Sequence, residues 1–442
     1  MNPLAPLFRA IEWMPVLWQD VTVLIVLLLP AIIVGGLVLV GFRPFSLVRA
    51  MLWRFRWTNV LFIALIAISV GIGVGLIAQE RGLRQGTARA ADPFDLVVAA
   101  PGSEITLLFA AVYLQPSDVP LLSGDIYDSV ANAPDVSLAA PIAYGDSFAS
   151  YPVVGSTAQF VTHMSDTLAE GEIFAAPTDA VIGSRVELSI GDSFSPAHGV
   201  GDAAEDDAHG NFEYTVSGRM QPTGSPWDRA IIVPVEAVWE IHGLANGHAP
   251  QDAGQLGPPF DPDYFPGTPA ILVSAEQLYA NYALRAQFTT AETMAFFPGA
   301  VLASLHGLMG DVRQVMSVMA VVTQILVTAG VLTGLVILTR LFARRLALLR
   351  ALGAPARFVF SVVWSYAATL IVLGAIGGVA VGYAASAIIS RVVTERTDIL
   401  VNATLGWPEF HLVAAFVSLT VILALFPAFI ALSRPVVTDL RS

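Results

Sequence analysis

Long uninterrupted apolar runs occupy both ends of this chain, and a segment of mixed composition separates them. A run of about 18 or more apolar residues is long enough to cross a bilayer as a helix. Runs of this kind, the last of them interrupted only by Pro427, cover residues 21–42, 60–78, 315–338, 359–389 and 412–432. The pattern therefore predicts a membrane protein with five helical spans.

The segment between the second and third runs, residues 79–313, has the pattern of a folded domain instead. Short runs rich in β-forming residues and bounded by Gly, Pro and Asp predict strands at 95–100, 136–145, 179–190, 212–220, 229–235 and 269–273. Apolar residues at helical period predict helices at 122–132, 234–242, 275–287 and 298–312. We expect an α+β domain whose last helix leads directly into the third span.

The distribution of charge orients the predicted spans. Short loops on the cytoplasmic side of a membrane accumulate arginine and lysine, whereas long domains cross the membrane regardless of their charge. Residues 43–56 contain four arginines, 340–357 contain five and 434–441 contain two, without an acidic residue in the first two segments. Residues 79–313 contain 29 acidic residues against eight arginines. We therefore expect the three basic segments inside the cell and the α+β domain outside.

Composition supports this class of protein and excludes others. The chain is 55% hydrophobic and only 13% charged, which is outside the usual range for a soluble globular protein. It has no cysteine, so a disulfide framework and cysteine-ligated metal sites are excluded. All 22 of its basic residues are arginine. Because a Walker A loop needs a lysine to reach the phosphates, the chain cannot hydrolyse ATP by that route, and we predict that it is not an enzyme.

The first span is predicted to be a retained helix and not a cleaved signal. A signal peptide has a basic start and an apolar core of about 7–15 residues. Here Arg9 is balanced by Glu12 and Asp20, and the apolar run of 21–42 is longer than such a core. With the loop at 43–56 inside, the N-terminus would lie outside. The alternative is a hairpin or interfacial segment broken at Pro30.

The sequence FSLVRAMLWRFRW (45–57) is amphipathic at helical period. Its apolar stripe consists of Phe45, Val48, Leu52 and Phe55. Arginines flank the stripe, so the segment is typical of a helix that lies in the membrane interface with its guanidinium groups at the headgroups. The alternative interpretation is a simple flank that stops transfer of the second span.

Glycines recur at a spacing of four in three of the spans. Small residues at this spacing form a groove in which a second helix can approach closely. The glycines concerned are Gly71, Gly75, Gly330, Gly334, Gly374, Gly378 and Gly382. We predict that they are helix-packing positions, although glycine is also common in membrane helices for no specific reason.

The tetrapeptide GDSF occurs twice in the α+β domain, at 145–148 and 191–194. It resembles the Gly-Asp-Ser nucleophile motif of a hydrolase family, with Asp206 and His209 in the spacing of its acid and base. A nucleophile needs only one copy, however. The duplication therefore favours a Gly-Asp turn that leads into a strand.

The acidic segment HGVGDAAEDDAHG (198–210) is a candidate metal site. His198, Asp206 and His209, with Glu205 and Asp207 beside them, offer nitrogen and oxygen donors that suit Zn²⁺. No ligand-spacing motif accompanies them. The alternative is a solvated acidic hairpin tip.

The basic segment ARRLALLRALGAPARFVF (343–360) resembles the cytoplasmic signature of the FtsX/MacB-type ABC transporter permeases. In that family a basic segment followed by Leu-Arg-Ala-Leu-Gly-Ala links the second and third spans of a four-helix core. The resemblance covers about residues 45–442 and includes the order of the spans and the large domain. Two features depart from the family. Arg345 stands where an acidic residue is usual, and the span at 21–42 is additional.

The resemblance implies a fold and a division of the chain. The fold is an α-helical membrane protein with a four-helix core, one extra N-terminal span, and a large α+β extracytoplasmic domain between core spans one and two. Its parts are an N-terminal extension with the extra span (1–44), an amphipathic helix with the first core span (45–78), the periplasmic domain (79–313), and three spans with the coupling segment 340–357 (314–442).

The resemblance also implies a function. The basic segment would be a short helix that docks into a groove of a separate cytoplasmic ATPase, which holds ATP and Mg²⁺. Leu341, Leu348 and Leu352 share one helical face, and Gly353 is suited to end the helix. The complete set of predicted coupling residues is Arg340, Leu341, Arg344, Arg345, Leu348, Arg350, Leu352, Gly353 and Arg357.

Such permeases work as homodimers in the bacterial inner membrane. They move lipoproteins, peptides or lipophilic compounds, or activate wall hydrolases, without passing the substrate through the bilayer. The expected partners are thus an ATPase, membrane lipid and a periplasmic protein, with no nucleic acid. The rival hypothesis is a membrane-anchored sensor or scaffold whose outer domain binds a metal or a peptide.

Overall fold

A computed structural model of the chain describes residues 13–115, 117–199, 212–397, 399–402 and 404–433. It divides into two compact units. The first, here called the membrane unit, comprises Met1–Gly82, Asp311–Arg391 and Asn402–Ser442. The second, here called the sheet unit, comprises Leu83–Gly310 and Val392–Val401.

The helices of the described residues are numbered α1 to α12 in chain order. Their bounds are Val16–Leu39, Phe45–Arg54, Arg56–Ala91, Glu104–Ala111, Gly124–Ala131, Ala158–Met164, Val235–Ile241, Ala280–Gln287, Pro298–Ala351, Ala356–Thr397, Trp407–Leu423 and Leu425–Ser433. A 3₁₀ turn at Pro226–Arg229 adds to these. The predicted domain helices correspond to α5, α7, α8 and the start of α9, whereas α4 and α6 had no sequence prediction.

Among the residues that the structure describes, four helices are long and apolar enough to cross a membrane, namely Val16–Leu39, Arg56–Ala91, Ala356–Thr397 and Trp407–Ile430. Each of these helices contains most or all of one predicted span, at 21–42, 60–78, 359–389 and 412–432 respectively. The remaining predicted span, 315–338, lies within α9, where the apolar stretch found is the shorter Gln324–Ile337. Four long apolar helices and a separate unit with β-sheets fit a membrane protein that has an extracellular domain.

Helix α1 is continuous through Pro30, so the alternative of a hairpin broken at this proline is wrong. The helix packs along α11 within the membrane unit. Near its start the carbonyl oxygen of Asp20 lies 2.9 Å from Nε2 of His411. Near its end Gly35 approaches Trp364 of α10 so closely that a methyl group on Gly35 would lie 3.2 Å from the indole ring.

Helix α2 is amphipathic, and three of the four predicted stripe residues, Val48, Leu52 and Phe55, lie against the apolar core, whereas Phe45 does not. Val48 and Met51 are buried in the core of the membrane unit. Phe45, which was predicted to belong to the stripe, is 61% exposed. Trp53 and Trp57 are also exposed, and the guanidinium carbon of Arg56 lies 5.8 Å from each indole centroid. Exposed tryptophans stacked with an arginine are typical of the membrane interface.

Five of the predicted packing glycines bring α3 and α10 together. A methyl group added to Gly382 would lie 2.7 Å from the carbonyl oxygen of Gly71. One on Gly378 would lie 2.6 Å from Cβ of Val70, and one on Gly374 2.6 Å from Cβ of Ile66. At these three positions only a residue without a side chain allows the backbone approach. A methyl group on Gly75 would lie 3.4 Å from the carbonyl oxygen of Gly382, which is an ordinary contact distance.

The glycines of α9 differ from one another. A methyl group on Gly334 would collide with the ring of Phe62, so this position also packs closely on α3. At Gly330 such a group would meet no atom within 4 Å. Gly330 therefore makes no close contact with the described part of this chain, and its packing role stays a prediction.

The strands of the described residues, numbered β1 to β12, all lie in the sheet unit. Their bounds are Leu96–Ala99, Val136–Pro141, Ala143–Phe148, Tyr151–Ser156, Leu168–Gly171, Asp179–Ile182, Ser193–Phe194, Ala197–His198, Tyr214–Met220, Ile231–Pro234, Ala270–Ala275 and Met294–Phe296. An antiparallel sheet has the order β12-β1-β11-β2. A mixed sheet has the order β5-β9-β6-β10-β4-β3-β8, with β7 paired to β9. Two clusters of buried apolar residues form the core of this unit, and each cluster contains residues from both sheets.

Two predicted strands end earlier than their apolar runs. The run at 136–145 divides at Ile142, whose N–H and carbonyl both bond to Oγ1 of Thr268, at 3.1 and 2.7 Å. Its two halves enter different sheets as β2 and β3. The run at 179–190 leaves the sheet at Gly183, where the backbone passes too close to Trp227 and Asp228 for any Cβ atom. The remainder of that run is therefore loop.

Candidate functional site

The predicted coupling segment forms the end of α9 and the turn into α10. Helix α9 ends at Ala351, and Gly353 has a φ of +97°, the left-handed conformation that favours glycine. The N–H groups of Gly353 and Ala354 donate to the carbonyls of Arg350 and Leu349, at 3.0 and 2.9 Å. This geometry is typical of a glycine-terminated helix. The predicted helix end at Gly353 is thus present.

The two faces of the segment have different surroundings. Leu346 and Ala347 are buried, at 6% and 3% exposure. Leu348 and Leu352, which lie one turn apart on one face, are 49% and 85% exposed. The structure does not describe the side chains of Arg340 and Leu341. The described part of the predicted leucine face is therefore available to a partner.

The buried side of the segment rests on α2. Leu346 belongs to the same apolar cluster as Val48 and Met51. The guanidinium carbon of Arg345 lies 5.9 Å from the ring centroid of Phe55, a cation–π distance. Arg345 is the position at which this chain departs from the family's usual acidic residue. Its positive charge is here placed against an aromatic ring at the end of α2.

The sheet unit contains a second candidate site. Among the described residues, Asp146, His198 and His242 place one ligand atom each within 4.8 Å of one another. Nδ1 of His198 lies 3.0 Å and Nε2 of His242 3.6 Å from Oδ1 of Asp146. The sequence predicted a site from His198, Asp206 and His209. The structure brings His198 together with two other residues, while Asp206 and His209 lie outside the described residues.

Three elements hold this cluster in place. Asp146 and His198 face each other across the β3–β8 pair. A bulge at Gly145, which has a φ of +147°, shifts the register of β3 just before Asp146. His242 follows α7, and its Nδ1 lies 2.6 Å from the carbonyl oxygen of Val238. The ligand atoms thus converge from two strands and a helix end.

The three side chains of the cluster differ in their exposure to solvent and in their charge. The Asp146 side chain is 2% exposed, whereas those of His198 and His242 are 43% and 30% exposed. The neighbouring Asp146 carboxylate raises the pKa of His242, with a further contribution from the Val238 carbonyl, while burial acts in the opposite direction. The site therefore favours positive charge and opens to solvent on its histidine side.

Sequence reasoning missed two members of this cluster. Asp146 lies in the first GDSF motif, which was interpreted as a hydrolase-like motif or a turn and not as a source of metal ligands. His242 had no local motif, and only the fold brings it to β3. In the second motif Oδ2 of Asp192 accepts the N–H of Ser189 at 2.7 Å, which is the predicted Gly-Asp turn. Ser147 of the first motif is buried and donates to the carbonyl of Gly199.

Comparisons with known proteins identify no family. No protein-family model matches the chain, and no curated protein matches it. Among solved structures, the chain is similar to the extracellular domain of the noncanonic ABC-type transporter YknZ from Gram-positive bacteria. The TM-score is 0.28 at 9% sequence identity, over 46% of this chain and 98% of that domain.

Proposed function

We propose that this chain is the membrane subunit of an ABC transporter of the FtsX/MacB type, and that it couples ATP hydrolysis by a separate cytoplasmic ATPase to movement of its outer domain. The observation that carries the proposal is the basic segment 343–360. It combines the family's Leu-Arg-Ala-Leu-Gly-Ala sequence with an apolar face exposed at Leu348 and Leu352.

Two further features support this function. The chain has no lysine for a Walker A loop, so any ATP chemistry has to come from a partner. Leu352 is 85% exposed at a predicted cytoplasmic position, and Arg350 and Arg357 lie within five residues of it in the sequence. An exposed leucine pair rimmed by arginines suits a protein groove, since charged residues at the rim speed association and apolar residues at the centre hold the complex.

We further propose a homodimer in the bacterial inner membrane that binds two ATPase subunits. The outer domain would act on a lipoprotein, peptide or lipophilic compound, or on a periplasmic partner protein. The rival function is a sensor or scaffold that signals without transport. The cluster of Asp146, His198 and His242 is the observation that favours this second candidate, because it places a candidate ligand site in the outer domain.

The test is purification of the full chain from its native membranes in a mild detergent, followed by mass spectrometry and an ATPase assay. We expect a subunit with a lysine-containing Walker A loop in a stable ratio to the chain, together with ATP hydrolysis in the purified complex. Recovery of a kinase or a response regulator in place of an ATPase would support the sensor and contradict the transporter.

The topology of the chain gives a separate prediction. Because the protein has no cysteine, a single introduced cysteine reports its own side of the membrane. Leu278 of the sheet unit and Leu352 of the coupling segment are similarly exposed, at 79% and 85%. In intact spheroplasts a membrane-impermeant maleimide should label Leu278→Cys and not Leu352→Cys, and lysis in a denaturant, which also removes any bound ATPase, should make both reactive. The reverse pattern would overturn the proposed orientation.

A further inference from the structure

We propose that Asp146, His198 and His242 form a binding site for Zn²⁺ in the sheet unit. The proposal concerns this unit alone and does not depend on the ATPase partner. It replaces the ligand set expected from the sequence, which joined His198 to the acidic segment after it, with one assembled from β3, β8 and the end of α7.

The spacing of the three ligand atoms suits a tetrahedral ion. Zinc bonds to histidine nitrogen and carboxylate oxygen of about 2.0–2.2 Å place neighbouring ligand atoms about 3.3 Å apart at tetrahedral angles. The two distances from Oδ1 of Asp146, 3.0 Å to His198 and 3.6 Å to His242, lie on either side of this value. Two of the three separations thus match a tetrahedral ion, and the two histidine nitrogens lie within 4.8 Å of each other.

The orientation of His242 supports ligation through Nε2. Its Nδ1 lies 2.6 Å from the Val238 carbonyl oxygen, and a carbonyl only accepts hydrogen bonds, so Nδ1 carries the proton. In the neutral ring the lone pair is then on Nε2, which faces Asp146. Metal-bound histidines usually donate their other ring N–H to a carbonyl or carboxylate in this way, which fixes the tautomer and the ring orientation.

The donor set also selects the kind of metal. Two imidazoles and one carboxylate suit Zn²⁺, whereas Ca²⁺ and Mg²⁺ prefer oxygen ligands alone. Three protein ligands leave the fourth position of a tetrahedral ion open. The histidines are 43% and 30% exposed, so a water molecule or a ligand group can reach this position. The outer domain would thus present a zinc ion with one exchangeable position.

The test uses the full chain in detergent, purified through a tag without histidine, treated with a chelator and then dialysed against buffered Zn²⁺. We expect one Zn²⁺ per chain. Loss of an outer-shell partner alone weakens metal binding by about 10–100-fold, so His198→Ala, His242→Ala and Asp146→Asn should each weaken it by more than about 100-fold. His163→Ala is the matched control, because this histidine lies in the same unit at another site and bonds to the Pro93 carbonyl.

A second measurement distinguishes loss of a ligand from loss of the fold. In a protein without cysteine, His198→Cys or His242→Cys introduces a single thiolate. With Co²⁺ in place of Zn²⁺, each variant should gain a sulfur-to-cobalt charge-transfer band that the parent chain and His163→Cys do not show. The band requires a direct bond between sulfur and metal, so a structural role of the histidines cannot produce it.

Three results would overturn the proposal. The first is the absence of stoichiometric Zn²⁺ in the parent chain, in which case the cluster holds only protons. The second is unchanged binding in His242→Ala. The third is that His209→Ala abolishes binding while His242→Ala binds normally. This result would support the ligand set expected from the sequence, which includes His209 and not His242.

Discussion

Leu348→Asp is expected to uncouple the chain from its ATPase while leaving insertion into the membrane intact. In the proposed complex the substitution places an unpaired carboxylate in an apolar groove, which costs several kcal/mol. Since about 1.4 kcal/mol corresponds to a tenfold change in affinity, binding of the ATPase should weaken by at least about 100-fold. The free chain tolerates the change, because Leu348 is 49% exposed.

The measurement is the ATPase affinity of the full chain in nanodiscs, together with stimulated ATP hydrolysis. Leu348→Met is the matched control, because it retains an apolar side chain of similar volume. Arg344→Gln should have a milder effect, mainly on the association rate and its salt dependence, since charges at a rim act in this way. If the arginines only anchor the topology, Leu348→Asp will bind as tightly as the parent chain, and the docking assignment is then wrong.

Arg81→Leu is expected to destabilise the membrane unit more than any other single replacement of an arginine in α3. The guanidinium of Arg81 forms a two-pronged ion pair with Glu409, with distances of 2.9 and 3.0 Å. Glu409 has a side-chain exposure of 1% and also accepts the N–H of Gly406 at the start of α11. Removal of Arg81 leaves this buried carboxylate without its counter-charge, which typically costs about 3–5 kcal/mol.

The expected result is a large fall in the thermal stability of the purified full chain in detergent. Arg84→Leu, at an exposed position one turn along α3, is the matched control and should change stability by less than about 0.5 kcal/mol. The double variant Arg81→Leu with Glu409→Gln should recover much of the loss, because the uncompensated charge is then absent. Equal stability of Arg81→Leu and Arg84→Leu would contradict a structural role for the ion pair.

The local sequence pattern was sufficient to predict those features of the fold that depend on neighbouring residues in the chain. Hydropathy located four of the long helices, because a bilayer-spanning helix has to be apolar along its whole length. The spacing of Gly378 and Gly382 predicted a close approach, and both lie against α3. Gly353 ends its helix as expected, because a left-handed residue after an apolar helix is commonly glycine.

Features that depend on distant parts of the chain could not be predicted in this way. The run at 136–145 reads as one strand, and only the side chain of Thr268 shows where it divides. β8 is two residues long and has no periodicity of its own. Asp146 and His242 come together because β3, β8 and α7 pack in one unit, so their sequence separation conceals the candidate metal site.

The position of Ile399 and Val401 in the sheet unit could not be predicted from the sequence either. Both follow α10, which has the composition of a membrane helix, and both are buried in the core of the sheet unit. The sequence prediction placed all residues after 313 with the spans. Hydropathy does not distinguish an apolar residue that contacts lipid from one that is buried in the core of a folded unit, so it could not assign this segment to the sheet unit.

The central claim is that the end of α9 docks into an ATPase, and site-specific photocrosslinking tests it most directly. A photoreactive phenylalanine analogue replaces Leu352 in the coupling segment, or Leu278 in the sheet unit as the equally exposed control, in cells that express the full chain from its native locus. We predict that illumination links position 352, and not position 278, to a protein that contains a Walker A lysine. Crosslinks from position 352 to lipid or to other proteins only, with no ATPase adduct, would contradict the account.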